Sequence, residues 1–367
     1  MSSAGETTVV KRQWSMALFS LLALPLAGRG ERLYRQMPLL PVAAQPRSLP
    51  SLSIIIPARN EARNLERLLP SLTAIRYPGS WELIVVDDSS TDGTAAIAAA
   101  HGARVVRAPP PPPGWLGKPH AGQQGAAVAS GEWLLFTDAD TVHSPDGPAS
   151  AVVFACRHEL DGLTLFLKQA TESWPEQAAL LAAHAGLFAG LMRLDGLMYG
   201  HFILLHRSVY ERSGGFAAVR HQPLEDLALG HRLHGCGYRV PALRGKMAGQ
   251  VYMYDSFIHL WTALVRLGAS ALPWSGKGAL ITALFTGAAA TPLVALVVCL
   301  FNRQVLWSAL AAWLALAAGF IPWARHFGPA RIVLLAPAGA FLVMVAAIWG
   351  LLRRLSGRDV SWKGRLV

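Results

Sequence analysis

Residues 133–141 read WLLFTDADT, and this stretch decides the fold predicted for the chain. The apolar run from Trp133 to Phe136 is typical of a buried strand, and it leads directly into two carboxylates, Asp138 and Asp140, one residue apart. A strand that delivers two carboxylates to its C-terminal end creates a place where a divalent cation can meet phosphate oxygens. Taken alone, the D-x-D triplet is a weak signal, because a solvated acidic turn gives the same letters.

Residues 51–61, SLSIIIPARNE, predict a strand, a turn and a helix. The β-branched run covers residues 53–56 and is expected to break at Pro57, because proline cannot donate to a strand ladder. Asn60 is expected to cap the helix that follows, whose leucines recur with helical spacing.

Residues 81–94, WELIVVDDSSTDGT, repeat this unit. An apolar strand ends in Asp87 and Asp88, so a second strand also delivers carboxylates to its C-terminal end. An Ala-rich helix is expected to begin at Thr91 or Asp92.

Two further short strands, at 104–107 and 133–137, complete an alternation of β and α elements. Such alternation predicts an α/β fold with a mostly parallel sheet and helices on both faces. Ligands of these sheets bind beyond the carboxyl ends of the strands. We therefore expect Asp88 and the pair Asp138 and Asp140 to converge on one crevice.

The composition assigns part of the chain to a membrane. Of the 367 residues 53% are hydrophobic, and the mean hydropathy of +0.34 is too high for a wholly soluble protein. Three segments approach the roughly 20 residues that a membrane helix needs: 279–301, 305–323 and 332–352. Three full crossings would put the Arg-rich C-terminal tail outside, so one segment is expected to turn back. We expect this to be 332–352, because Pro337 and Gly339 interrupt it.

The N-terminal residues 14–28 are apolar but short, which leaves two interpretations open. Basic residues before the apolar core, with small residues at Ala27 and Gly28, are typical of a cleaved signal peptide. A retained membrane anchor agrees better with an acidic crevice built for a nucleotide, because nucleotides are cytoplasmic. We therefore expect an anchor.

The net charge of +11 comes from basic residues that cluster beside the apolar segments, as at Arg353 and Arg354. This pattern is typical of the positive-inside rule and of attraction to anionic lipid. It differs from the basic stripe of a nucleic-acid-binding protein. We expect a membrane partner and no nucleic acid.

The cysteines Cys156, Cys236 and Cys299 are odd in number and widely spaced. We expect them to be reduced core residues, as in a cytoplasmic and membrane location. No group of Cys and His has the spacing of zinc ligands, so a structural metal is not expected.

Residues 107–126, RAPPPPPGWLGKPHAGQQGA, place Lys118 at the start of a predicted helix. A cation beside the unpaired N–H groups of a helix N-terminus suits a phosphate or diphosphate. The alternative is a surface lysine with no partner, because the spacing of a P-loop is absent.

A second acidic element follows the turn at 213–216. Residues 223–235 predict a helix whose first turn contains Glu225 and Asp226. Both carboxylates have the position of helix caps that the helix dipole stabilises. The functional alternative is that one of them is a general base that accepts a proton from an attacking hydroxyl.

Residues 255–267 carry a polar stripe on an otherwise apolar helix, formed by Asp255, His259, Thr262 and Arg266. This pattern indicates a helix that lies in the membrane surface. An amphipathic helix that packs on the sheet domain would show the same pattern.

Five motifs together resemble the family 2 glycosyltransferases, which have the GT-A fold. They occur in the family's order over residues 51–241 and read SIIIPARNE, ELIVVDDSSTDGT, DAD at 138–140, GGF at 214–216 and EDLALGHRL at 225–233. The segments GWLGKPHAGQQGA and VSWKGR also resemble the bacterial branch associated with hopanoid and carotenoid glycosylation.

This resemblance implies roles for the predicted site residues. Asp138 and Asp140 would face the sugar diphosphate and hold Mg²⁺ or Mn²⁺, and Asp226, with Glu225 beside it, would be the catalytic base. The sugar would be transferred from a nucleotide sugar, with a UDP-sugar favoured, in one displacement with inversion. The residues expected to bind the donor are Pro57, Arg59, Glu61, Asp87, Asp88, Lys118 and Asp138.

The resemblance also implies an organisation of the chain. We expect an N-terminal membrane anchor and linker, the GT-A glycosyltransferase domain, an interfacial helix, and a C-terminal transmembrane region with a basic tail, at residues 1–50, 51–250, 251–275 and 276–367 respectively. A lipidic acceptor, such as a polyprenyl phosphate, a hopanoid or a carotenoid, would explain the membrane segments. The expected location is the inner membrane of a bacterium, with the catalytic domain in the cytoplasm.

One departure and two alternatives remain. Relatives commonly have an arginine near the position of Tyr252, where this chain has none before Arg266, so binding of the leaving diphosphate is in doubt. One alternative is an inactive nucleotide-sugar-binding protein that keeps the fold, although its acidic residues are intact. A dinucleotide-dependent oxidoreductase is disfavoured, because PARNE lacks the G-x-G-x-x-G that lets the backbone approach a pyrophosphate.

Overall fold

The computed structural model describes most of the chain. The described residues are Met16, 18–42, 46–171, 173–254, 256–270, 276–298, 306–356, 361–362 and 365–366. They form two compact units, each built from separate stretches of sequence. The α/β unit comprises Met37–Ala170, Leu194–Met253 and Ser361–Val367, and the helical unit comprises Met1–Gln36, Thr171–Arg193 and Tyr254–Val360.

The α/β unit contains the strands predicted from the sequence and several that were not. Its strands are β1 (Leu52–Ala58), β2 (Trp81–Asp87), β3 (Arg104–Arg107), β4 (Trp133–Phe136), β5 (Thr141–His143), β6 (Gly162–Phe166), β7 (Lys168–Gln169), β8 (Ile203–His206), β9 (Ala242–Arg244), β10 (Gly249–Val251), β11 (Ser361–Trp362) and β12 (Arg365–Leu366). Its helices are α2 (Ala62–Thr73), α3 (Thr94–Ala100), α4 (Gly117–Val128), α5 (Gly147–Arg157), α7 (Arg207–Ser213) and α8 (Glu225–Gly235). A short 3₁₀ helix, Gly215–Val219, follows α7.

Seven strands form the main sheet in the order β3-β2-β1-β4-β8-β6-β9. The pairs among β3, β2, β1 and β4 are parallel, and β8 runs antiparallel to both β4 and β6. Strands β5, β10 and β7 form a separate small sheet. The predicted α/β class with a mostly parallel sheet is therefore confirmed, and the antiparallel strand β8 is an addition to it.

Helices cover both faces of the main sheet. Ile54 and Ile56 pack in one core with the leucines of α2. Ile55 points to the opposite face and packs in a second core that includes Ala121 of α4 and Leu229 of α8. Because successive side chains of a strand point to opposite faces, a continuous apolar run is what a strand buried on both sides requires.

The predicted break at Pro57 is wrong, since β1 continues to Ala58 and Pro57 pairs with Val86. The N–H of Thr137 donates to the carbonyl of Ile55 at 3.1 Å, which is the last bond between β1 and β4. Pro57 has no N–H to make the next bond on that side, so the ladder to β4 ends there.

The cap predicted at Asn60 is also wrong. Its side-chain oxygen accepts a hydrogen bond from the N–H of Thr91 at 2.8 Å, and it does not cap α2. The carboxylate of Asp92 serves two helices instead. It accepts from the N–H of Ala62 at 3.2 Å and from the N–H of Thr94 at 3.0 Å, the first residues of α2 and α3. The loops after β1 and β2 are thereby joined.

The helical unit consists of helices from three parts of the sequence. They are α1 (Ala23–Gln36), α6 (Trp174–Gly190), α9 (Phe257–Ser270), α10 (Gly276–Val298), α11 (Leu306–Gly319), α12 (Ile321–Phe327) and α13 (Ala336–Leu355), with a 3₁₀ turn at Ala330–Leu335. Helix α6 contacts α1, α10 and α13 and is central to the unit. The sequence prediction had assigned all of 51–250 to one domain, whereas Thr171–Arg193 belongs to the helical unit.

Close helix packing in this unit depends on small residues. The Cβ that a side chain at Gly339 of α13 would add lies 2.1 Å from the carbonyl oxygen of Ala178, so only glycine allows this approach. In α1, the side chain of Arg29 donates to the carbonyl of Leu191 at 2.8 Å and also to that of Ala189, which satisfies carbonyls at the C-terminal end of α6. The predicted anchor at 14–28 lies partly outside the described residues.

Two described helices are long and apolar enough to cross a membrane, Gly276–Val297 and Ala330–Leu355. The pair α11 and α12 passes the same test only as one span bent by 51°. The interruption predicted within 332–352 is therefore wrong, because Pro337 lies in the first turn of α13, where a missing N–H costs nothing. The break lies in the middle segment instead.

The prediction that the cysteines are core residues is wrong for two of them. Cys156 and Cys236 carry free thiols, as expected, but both are exposed. Each lies at or just beyond the C-terminal end of a helix, in α5 and after α8. Cys299 lies outside the described residues.

We predict that Asp92→Ala lowers the melting temperature of the full chain in detergent by about 3 °C, because a lost cap costs about 1 kcal/mol. Burial raises the pKa of Asp92, but hydrogen bonds from Thr94 and Ala62 outweigh it and hold the pKa below its ordinary value of 3.8. The stabilisation should be complete above pH 3.8 and disappear as the pH falls through the lowered pKa. Asp195→Ala, at an exposed position, is the control. Equal melting temperatures for wild type and Asp92→Ala near neutral pH would contradict the capping role.

Candidate active site

Three of the predicted site residues converge around the ammonium group of a fourth, Lys118. Its Nζ lies 2.7 Å from Oδ1 of Asp138 and 3.0 Å from Oε1 of Glu225. Lys118 comes from the first turn of α4, Asp138 follows β4, and Glu225 begins α8. The sheet therefore joins groups that are up to 107 positions apart in the chain, from Lys118 to Glu225.

Asp226 belongs to the same cluster through Gly200. Its Oδ2 accepts from the N–H of Gly200 at 2.9 Å, and its Oδ1 accepts from the N–H of Leu227 at 2.8 Å. A Cβ added at Gly200 would lie 3.0 Å from Nζ of Lys118, 3.3 Å from Oδ2 of Asp226 and 3.4 Å from Oδ2 of Asp138. Gly200 thus leaves open a small space that one cation and two carboxylates border.

The charges in this cluster alter one another's protonation. Burial works against a charged ammonium, but the carboxylates of Asp138, Glu225 and Asp226 raise the pKa of Lys118 well above its ordinary value. Burial, with the repulsion of Glu225, raises the pKa of Asp226 to about 6, although Lys118 and the two N–H donors oppose this. Lys118 is therefore a permanent cation, while Asp226 titrates near physiological pH.

A buried hydrogen-bond network fixes the backbone of the D-A-D turn, residues 138–140. The hydroxyl of Thr141 donates to the carbonyl of Asp138 at 2.7 Å, and that of Thr137 donates to the carbonyl of His201 at 3.0 Å. The ring Nε2 of His143 lies 2.9 Å from the Thr137 hydroxyl. Burial lowers the pKa of His143 to about 4, so the ring is neutral at pH 7. The neutral ring and the Thr137 hydroxyl share one hydrogen bond, and the tautomer of the ring decides which of them donates.

This network connects the two acidic elements. His201 directly follows Gly200, whose N–H binds Asp226, and Asp138 is bound by Thr141. The orientation of the D-A-D turn and that of the Asp226 carboxylate therefore share one set of fixed hydrogen bonds.

The remaining predicted donor residues lie at the ends of β1 and β2. The N–H of Asp88 donates to the carbonyl of Ala58 at 2.8 Å, and Nη1 of Arg59 donates to the carbonyl of Asp88 at 2.9 Å. The carboxylate of Asp87 accepts from the N–H of Ser90 at 3.1 Å. Glu61 accepts from Nδ2 of Asn64 at 2.7 Å. Asp87 and Asp88 are both buried.

These two groups of residues share one edge of the sheet. Strand β1 lies between β2 and β4, and all three run in the same direction. Neighbouring strands are about 5 Å apart, so the ends of β2 and β4 are separated by about 10 Å. That distance is short enough for one extended ligand to reach both Asp88 and Asp138.

A third basic residue lies close to the segment where an arginine was expected. The guanidinium of Arg67 in α2 lies 4.0 Å from the ring centroid of Tyr252. The N–H of Tyr252 donates to the carbonyl of Asp140 at 2.8 Å. Arg67 therefore brings a positive charge to the segment beside the D-A-D turn, although it is far from it in sequence.

The carboxylates fit a metal that completes its coordination with substrate. Among the described residues, no group of three or more His, Cys, Asp or Glu side chains could enclose a metal ion. Asp138 and Asp140 supply hard oxygen ligands, which suit Mg²⁺ and Mn²⁺. Mg²⁺ commonly binds one or two carboxylates together with substrate phosphates and water. The residues present fit this mode.

Comparisons with known proteins identify the class. Residues 53–228 match the family model described as glycosyl transferase family 2. A mannosyltransferase from Pyrobaculum calidifontis, PcManGT, solved in complex with GDP-Man and Mn²⁺, has a similar structure, with a TM-score of 0.54 at 21% identity over 92% of this chain and 99% of that chain. Residues 53–228 therefore form a domain that matches family 2 glycosyltransferases, in a structure with the GT-A fold, and the resemblance, fold and enzyme class expected from the sequence are confirmed.

Two bacterial relatives share the name 4,4'-diaponeurosporenoate glycosyltransferase. The protein from Staphylococcus aureus strain MRSA252 is 25% identical over 334 residues, which are 86% of this chain and 88% of the relative. The protein from Staphylococcus haemolyticus is 27% identical over 235 residues, which are 60% of this chain and 62% of the relative. This chain is therefore similar to carotenoid glycosyltransferases at modest identity.

No sequence signal marked Gly200, and the structure generates a prediction about it. In Gly200→Ala the new methyl group would contact Lys118, Asp226 and Asp138 at 3.0–3.4 Å. We expect glycosyl transfer to fall at least tenfold while the melting temperature stays within about 2 °C of wild type, because the space belongs to the site and not to a core. Gly235→Ala is the matched control, since nothing lies within 4 Å of its Cβ position. Unchanged transfer by Gly200→Ala would show that this space is not used.

Proposed function

We propose that this chain is a membrane-bound inverting glycosyltransferase that moves a sugar from a nucleotide sugar to a lipidic acceptor. The observation that carries the proposal is the convergence of Lys118, Asp138 and Asp226 beside Gly200, at the end of the parallel strands. The cation is suited to a diphosphate, and the two carboxylates have different environments. No covalent enzyme intermediate is required.

The donor would extend along the C-terminal edge of β2, β1 and β4. Asp88, with Asp87, would bind the base, and a UDP-sugar is the favoured donor. Arg59 holds the Asp88 backbone in position through its bond to the carbonyl. Lys118 would bind the diphosphate with the help of the N–H groups that begin α4. Pro57 and Glu61 would line the same pocket.

Asp226 is the proposed general base. The oxygen of an acceptor hydroxyl attacks the anomeric carbon as the bond from that carbon to the diphosphate oxygen breaks. The hydroxyl proton passes to Asp226, and the nucleoside diphosphate leaves with the bonding electron pair. Asp226 suits this role better than Glu225, because Glu225 is buried and paired with Lys118, whereas Asp226 is partly exposed. A pKa of about 6 leaves it ionised at pH 7 and basic enough to accept a proton.

Asp138 and Asp140 are the proposed ligands of Mg²⁺ or Mn²⁺. When bound, the divalent cation would neutralise charge on the departing diphosphate. The Thr141 hydroxyl and the N–H of Tyr252 hold the carbonyls of Asp138 and Asp140, which fixes the backbone from which both carboxylates extend. Arg67 would support the same phosphates from the other side of Tyr252.

The acceptor is proposed to be a lipid that stays in the bilayer. Within the part of the chain that the structure describes, two helices are apolar enough to span a membrane, and one bent pair of helices passes the same test. In α9, Phe257, Ile258 and Leu267 are exposed, while Leu260 and Leu264 are buried against α13. Exposed apolar side chains on both sides of a short helix suit the membrane surface. We place the catalytic domain on the cytoplasmic side of a bacterial inner membrane, where nucleotide sugars are made.

The acceptor group has two candidate chemistries. A polyprenol-type, hopanoid or carotenoid hydroxyl needs a base, which Asp226 supplies. The staphylococcal relatives are named for an acid, diaponeurosporenoate. A carboxylate or phosphate acceptor already carries its negative charge and would need no base. The environment of Asp226 favours the hydroxyl.

Asp226→Asn tests this function. We expect kcat to fall by at least about 100-fold, because general base catalysis contributes that much, while donor binding changes little. The product should be sought by mass spectrometry of lipids from cells with wild type and with the variant, and UDP affinity should be measured by calorimetry. Wild-type kcat/KM should fall as the pH drops below about 6, since the base becomes protonated there.

Asp195→Asn, at an exposed position, is the matched control for Asp226→Asn and should behave as wild type. Loss of UDP affinity without loss of kcat would contradict the base assignment. Full turnover by Asp226→Asn with a new lipid product would point to an anionic acceptor instead.

Asp140→Ala tests the metal role. We expect it to abolish transfer that depends on Mg²⁺ or Mn²⁺, because one of the two protein ligands is lost. The variant should still fractionate with membranes, since Asp140 lies in the α/β unit. Undiminished metal-dependent transfer would reject the assignment.

A further inference from the structure

The carboxylate of Asp138 has a cationic partner before any donor arrives. Nζ of Lys118 lies 2.7 Å from its Oδ1, within the distance of a charge-assisted hydrogen bond. Asp138 is also the first ligand assigned to the divalent cation. Lys118 and the divalent cation are therefore alternative positively charged partners of the same Asp138 carboxylate.

We propose that Lys118 is an internal counter-ion that competes with the divalent cation for Asp138, so that the cation binds tightly only together with a nucleoside diphosphate. This inference rests on the proposed function, because it gives a second role to a residue of the donor site. It makes the order in which the divalent cation and the nucleoside diphosphate bind depend on the Lys118 side chain.

The arrangement of charges supports this competition. Lys118 contacts Asp138 and Glu225, and the open space at Gly200 lies within 3.4 Å of Lys118, Asp226 and Asp138. A divalent cation bound to Asp138 would therefore lie within a few ångströms of the ammonium and repel it. Displacing Lys118 would also deprive the buried Glu225 of its partner. Both effects weaken the binding of a metal ion alone.

A diphosphate removes this penalty. Lys118 has a flexible side chain, 44% of which is exposed, so its ammonium can turn toward a ligand in the crevice. It lies in the first turn of α4, and the N-terminus of a helix favours an anion. Once Lys118 binds phosphate, both oxygens of Asp138 become available to the metal, whose remaining positions are filled by phosphate oxygens and water.

The test measures Mn²⁺ binding and does not depend on turnover. The full-length chain, purified in detergent, is titrated with Mn²⁺ and free ion is followed by electron paramagnetic resonance, with and without UDP. Wild type should bind Mn²⁺ weakly alone and at least tenfold more tightly with UDP. Lys118→Met should bind Mn²⁺ alone about tenfold more tightly than wild type, and UDP should add little.

Three further variants sharpen the result. Lys118→Gln, which keeps a polar donor but no charge, should tighten Mn²⁺ binding as Lys118→Met does, and Lys118→Arg, which keeps the charge, should stay weak. Lys168→Met removes one exposed positive charge from β7 and should match wild type. Agreement of the two neutral variants, each with a wild-type melting temperature, would support the competition.

Two outcomes would overturn the inference, and they differ in what else they reject. If Lys118→Met and Lys118→Gln bind Mn²⁺ alone no better than wild type, while UDP still increases the affinity, the competition is absent but the metal site stands. If neither wild type nor any variant binds Mn²⁺ even with UDP, and Asp140→Ala transfers the sugar as fast as wild type, the metal role in the proposed function fails as well.

Discussion

The site depends on the placement of one ammonium group among three carboxylates. Asp138, Glu225 and Asp226 could not share so small a space without a counter-ion, because each is partly or fully removed from water and repels the others. Lys118 supplies that charge from α4. The parallel order of β2, β1 and β4 makes this possible, since it brings the ends of three strands to one edge.

Much of this arrangement follows from local sequence, and the parts that do not follow have a common reason. The strands and the D-A-D turn are predictable because each signal lies within about ten residues. The pairing of Lys118 with Glu225, and the role of Gly200, arise only when distant segments meet. The cap of α2 also comes from a distant segment. Asp92, in the loop after β2, caps this helix, whereas the adjacent Asn60 bonds to Thr91 instead.

The helical unit shows where hydropathy alone is insufficient. Helix α6 is an apolar helix inserted between β7 and β8. It is central to the helical unit, although in sequence it lies between segments of the α/β unit. Pro337 was expected to interrupt the apolar segment 332–352, because apolar content does not show that α13 begins at Ala336. A proline in the first turn is harmless, and Pro322 has the same position in α12. The 51° bend between α11 and α12 lies between Gly319 and Pro322, so the sequence marks it, although apolar content alone does not.

Glu225 and Asp226 are adjacent in sequence, yet their environments separate their chemistry. Glu225 is buried and bound to Lys118, so its charge is already committed to the cluster. Asp226 is held by two backbone N–H groups and remains partly exposed, and the neighbouring Glu225 charge raises its pKa further. The charge of Glu225 thus makes Asp226 basic enough to accept a proton near pH 7. A competing partner on Lys118 would change this balance, which ties the binding of phosphate to the basicity of Asp226.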